Sequence, residues 1–193
     1  MTVFSDPLAA NLAMIGTMFF GLAAFAVYRY FLGKDKEEVN QSFSYFLLGT
    51  GFYALIYGLF YSMLWPEPEG GSYSILFGDP LALFGLATLL AGVIIIKKGS
   101  LSFAGFFGFF AGIYSIVSGY EGYLLKMTQS PIAMFLLYLG AGVSGILVLP
   151  LVLTKNKWIA VLTAIVLVLT GIVAFVIGIP AVGEHLSGFA HAP

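Results

Sequence analysis

Six apolar runs, each about as long as a helix needs to cross a lipid core roughly 30 Å thick, fill most of the chain, at about 8–32, 42–64, 76–96, 101–120, 132–153 and 158–182. Short polar stretches separate them and leave no room for a separate soluble domain. The pattern predicts an all-α membrane protein, a single transmembrane domain of six helices spanning 1–193. The first run has no positive leader and is too long for a signal-peptide core, so it is expected to be retained.

The first, third and fifth runs open alike, with Asp6-Pro7-Leu8-Ala9, Asp79-Pro80-Leu81-Ala82 and Ser130-Pro131-Ile132-Ala133. An Asp or Ser side chain accepts from the orphan amides of a first turn, and Pro at the first helical position has no amide to satisfy. Asp79 is therefore expected to cap a helix. The second, fourth and sixth runs share glycines seven apart: Gly51 and Gly58, Gly112 and Gly119, Gly171 and Gly178. Seven residues are close to two turns, which holds both glycines on one face, and small residues let backbones approach closely in lipid. Together these features predict a two-helix hairpin repeated three times in parallel orientation, enclosing a central path.

Charge sets an expected orientation. Of eight cations, Arg29, Lys34 and Lys36 follow the first run, Lys97 and Lys98 the third, and Lys155 and Lys157 the fifth, leaving Lys126 alone on the other side. Because Lys and Arg accumulate in short cytoplasmic loops, both termini and the segments 65–75 and 121–130 should face outward. A charged fraction of 9%, against about 25% in soluble domains, reinforces the membrane assignment. A net charge of −1 gives no reason to expect a nucleic-acid partner. The absence of cysteine excludes disulfides, thiol redox chemistry and thiolate metal sites. Both histidines, His185 and His191, fall in the tail beyond the last run, which argues against a haem held by two buried imidazoles. No buried acid pair, Ser/His couple or nucleotide loop is present, so the expectation is a non-enzyme without metal or cofactor.

Polar residues within spans tend to face a bundle interior or a wet cavity. On the second run Tyr45, Gly49, Tyr53, Tyr57 and Tyr61 recur at steps of four, which hold roughly to one helix face. Tyr53 and Tyr57, with Tyr114 and Ser118 of the fourth run, are the candidate pore-lining residues; the alternative for the stripe is interhelical hydrogen bonding, with Tyr61 in an interfacial aromatic belt. Ser115, Tyr138, Ser144, Thr163 and Thr170 would extend a mildly polar path. Asn11 and Thr17 read as interhelical clasps. Asp79 and Glu121 are placed at the outer mouth, Glu121 reading either as a solvated boundary acid or as a partner of Lys126, and His185 beside Glu184 either as a solvated tail residue or as an external pH sensor.

The stretch LAGVIIIKKGSLSFAGFFGFFAGIY, Leu90 to Tyr114, is similar to the third-to-fourth-span segment of the acetate uptake transporters. Lys157-Trp158-Ile159-Ala160, continuing to Ile179-Pro180-Ala181, resembles the last span of the urea and amide channels. The chain also looks like an uncharacterised family of archaeal and bacterial membrane proteins of this length. These resemblances imply a multi-pass protein of a prokaryotic cytoplasmic membrane, assembling as a homo-oligomeric ring. The expected function is a channel or facilitator for a small neutral or weakly acidic solute. The alternative is a non-catalytic membrane subunit or scaffold of a larger respiratory or transport complex.

Overall fold

A helix in lipid must satisfy every backbone amide internally, and each apolar run does so by forming one. The computed structural model describes residues 8–64 and 73–190. Its helices are α1 (Leu8–Ala26), α2 (Glu37–Leu64), α3 (Asp79–Ile96), α4 (Ser102–Leu124), α5 (Pro131–Thr154) and α6 (Lys157–Ala190). A π-helical turn, Val27–Phe31, continues α1, and another, Ser74–Gly78, leads directly into α3. Six helices are long and apolar enough to cross a membrane. Helix α2 begins at Glu37 rather than near 42, with Glu37 and Glu38 in its first turn, where the helix dipole favours negative charge.

The helix openings differ from expectation in an instructive way. Asp79 caps nothing: the chain is already helical through the preceding π turn, Gly78 before it has helical dihedrals, and no side-chain cap bond forms. Pro80 supplies the reason. Lacking an N–H, it cannot donate to the carbonyl four residues back, that of Leu76, and the helix widens around that gap. Ser130 stands at the N-cap of α5 with Pro131 next, but without a side-chain cap bond. Asp6 and Pro7 lie outside the described residues. Helix C-termini are more regular. Lys98, Lys126 and Lys155 all adopt left-handed dihedrals (φ 53°, 52° and 53°). At Lys98 the paired bonds Gly99 N–H to Ile94 C=O and Lys98 N–H to Ile95 C=O close a Schellman cap.

Backbones approach closely only between helices that follow one another in the chain, and α6 returns to pack on α1, so among the described residues the six form a closed ring. Alternate helices run antiparallel, which gathers Arg29, Lys97, Lys98, Lys155 and Lys157 at one end, called here the cationic end. The seams are not equal. Packing is closest between α2 and α3, α4 and α5, and α6 and α1, and looser between α1 and α2, α3 and α4, and α5 and α6. The predicted glycines explain the difference. A Cβ on Gly51 would lie 2.4 Å from the Leu89 backbone, one on Gly112 2.5 Å from the Gly142 carbonyl, and one on Gly171 3.2 Å from the Gly16 carbonyl. Helices α2, α4 and α6 thus carry their packing faces as predicted. The tight partner of each is the neighbour across the ring's other seam, not the preceding helix of its presumed hairpin.

Candidate functional site

Helices packed at interaxial distances of about 8–10 Å in a ring of six leave a central space about as wide as another helix. What fills it differs along the axis. In the half away from the cationic end, buried Leu12, Phe19, Tyr61, Leu76, Leu81 and Met134 belong to one continuous apolar cluster. Phe19 and Phe84 meet edge to face, ring centroids 6.4 Å apart. Towards the cationic end several facing positions are small, among them Ala87, Ala91, Ala104, Gly105, Gly108 and Gly145, and a cavity of about 90 Å³ remains between them and the larger Leu, Val and Phe side chains. All six helices line it. Phe19 and Phe84 stand where the cavity meets the filled half, while Tyr30, Leu101 and Leu151 bound it near the cationic loops. Tyr30, Thr88, Ser144 and Thr163 are the hydroxyl-bearing residues of its wall.

Of the residues expected to line a path, Ser144 and Thr163 belong to this cavity, whereas Tyr53, Tyr57, Tyr114 and Ser118 do not. Tyr53 and Tyr57 stand in the loose α1–α2 seam, their rings 4.4 Å apart. The Tyr53 hydroxyl donates to Asn11 Oδ1 at 2.8 Å, and Asn11 Nδ2 donates to the Tyr61 hydroxyl at 2.9 Å. Asn11, only 1% exposed, is thus the clasp anticipated. Thr17 is not: its hydroxyl bonds its own helix at Ala13. The tyrosine stripe fails as a single face because each step of four residues overshoots a 3.6-residue turn by about 40°. Over four steps it swings from Tyr45, 59% exposed, to Tyr61, 2% exposed.

Tyr114 occupies the matching place in the α3–α4 seam, where its hydroxyl donates to Asp79 Oδ2 at 2.7 Å. Ser62 of α2 donates to Asp79 Oδ1. The carboxylate so joins three consecutive helices. Asp79 shares its helix face with Leu83, Leu86 and Leu90, whereas α3 lines the cavity with Phe84, Ala87, Thr88 and Ala91. It is therefore turned from the axis toward the flank between α2 and α4, not to a mouth of the cavity. Ser118 is half-buried one turn beyond Tyr114, and Glu121 is exposed at the end of α4. Glu184, His185 and His191 lie outside the described side chains, so the pH-sensor expectation is not addressed.

Other polar residues donate to backbone carbonyls. The Tyr138 hydroxyl donates at 2.5 Å to the Leu76 carbonyl, the group that Pro80 leaves without a helical partner. Ser115 donates to the Tyr138 carbonyl at 3.0 Å, and Thr170 to the Val166 carbonyl at 2.7 Å. By weighing polar residues, sequence reasoning reached Ser144 and Thr163 but missed the apolar remainder of the wall. The usable signal was the run of small residues at the cationic ends of α3 and α4, including Ala104, Gly105 and Gly108.

Fold and site define a six-span membrane protein whose helices close around an apolar internal cavity. The family described as "Protein of unknown function (DUF981)" matches residues 1–188, and the chain belongs to it. No curated protein and no solved structure matches the chain, so the resemblance to the urea channels and acetate transporters finds no support in these comparisons.

Proposed function

We propose that the protein is a membrane facilitator whose solute path runs along the axis of the helix ring. The observation that carries this reading is the cavity bounded by all six helices around that axis. The conformation described is closed over the half away from the cationic end, where Phe19, Phe84 and their neighbours fill the ring. With the cationic end in the cytoplasm, as the distribution of Lys and Arg favours, the cavity faces inward and the stopper outward. Permeation then requires the stopper to yield. The looser seams supply the place for movement, and the bonds from Tyr53 to Asn11 and from Tyr114 to Asp79 hold two of them shut.

Alternation of tight and loose seams around the ring supports the threefold repeat, with the tight pair as the rigid unit. An ion is a poor passenger, since stripping its water in an apolar wall costs several kcal/mol. A small neutral solute, or an acid in its undissociated form, fits better. Stopped-flow swelling of proteoliposomes against urea, propionamide, glycerol and short acids tests the reading. Rates above protein-free vesicles for at least one neutral solute are expected, and rates equal to empty vesicles throughout would overturn it.

A further inference from the structure

Almost all of the surface facing the cavity is carbon, and its wall contains no Asp, Glu, Lys, Arg or His. Of the four hydroxyl-bearing residues, Thr163 is 0% exposed, Ser144 2% and Thr88 5%. Tyr30 stands at the cationic end of the space, so the long apolar stretch between it and Phe84 offers an occupant few hydrogen-bond partners of either kind. A molecule entering from water leaves its water bonds behind, and every polar group it cannot pair again counts against it. Hydrocarbon surface moves the other way, since its transfer out of water is favourable. The wall therefore sorts occupants by how much of their surface is polar, whichever way their hydrogen bonds point.

We propose that the cavity is a binding site for one compact, uncharged molecule whose surface is mostly hydrocarbon, with a single polar group: a short ketone, alcohol, undissociated acid or monoamide. It discriminates against ions and against molecules of the same shape that are polar all round, urea among them. This deepens the permeation reading and rests on the same cavity. An apolar cavity of about 150 Å³ stays dry and binds benzene or xenon. At about 90 Å³, this one suits an organic molecule of a few heavy atoms. Gly108 offers a way to fill it without disturbing a seam, because a Cβ there meets nothing closer than the Gly145 carbonyl at 3.8 Å.

Acetone, acetamide and urea share one planar skeleton and differ only in how many methyl groups are replaced by amino groups. Saturation-transfer difference NMR on the protein in deuterated-lipid nanodiscs, with the signal of protein-free nanodiscs subtracted, compares their binding. Acetone should bind at least fivefold more tightly than urea, with acetamide between them, and Gly108→Leu should abolish the protein-dependent acetone signal. Should Gly108→Leu not fold, Gly108→Ala should still weaken acetone binding. A smaller ratio between acetone and urea, or the reverse order, overturns the selectivity. An acetone signal unchanged by filling Gly108, or none at all, overturns the site. Selective binding without vesicle flux of any solute would refute permeation and leave the site standing; urea flux without a preference for acetone would do the reverse.

Discussion

Pro80, Leu76 and Tyr138 show one residue's chemistry deciding the shape of a helix. The amide missing at Pro80 orphans the Leu76 carbonyl, and a phenol from α5 reaches across to satisfy it. No water is at hand in lipid to take over. Tyr138→Phe should therefore lower stability by about 1–3 kcal/mol, the cost of an unsatisfied buried polar group, visible as a lower thermal midpoint in detergent. Tyr45→Phe, at an exposed position, should leave it unchanged. Lys126 is a second local conflict, held at φ 52°, where a non-glycine residue costs about 1–2 kcal/mol. Lys126→Gly should raise the same midpoint, and a drop would show that its charge at the helix end outweighs the backbone strain. The proline was legible in the sequence as a helix opening. Its true effect was not, because it depends on a partner more than fifty residues away.

Among the elements, the glycine seams decide which helices move together. Gly51→Ala should force α2 from α3, since the added carbon would meet backbone at Leu89 2.4 Å away, and should reduce the yield of folded protein. Gly49→Ala, two residues earlier, meets nothing within 4 Å and should be tolerated. Matching yields for the two would contradict the seam. The spacing of these glycines was readable directly from the chain, as were the six spans. Which neighbour each glycine face grips was not: a small-residue face fits either flanking helix. Tyr53 and Tyr114, expected to line a path, instead donate across seams to Asn11 and Asp79, bonds that only the assembled ring reveals, and Tyr57 lies against Tyr53.

At the scale of the molecule, ring closure and the contrast between bulky and small facing residues create the cavity. Cavity and stopper were hidden from the sequence because both depend on side-chain volumes summed over six helices at one depth. Gly108 contributes the volume of a missing side chain, which no motif records. The most direct measurement is the rate of propionamide entry into proteoliposomes carrying the unmodified protein, Gly108→Leu or Gly49→Leu, the last adding equal bulk on an exposed face of α2. The axial path predicts rapid entry for the unmodified protein and for Gly49→Leu, and entry at the rate of empty vesicles for Gly108→Leu. Undiminished entry through Gly108→Leu would show that solute does not travel through the ring.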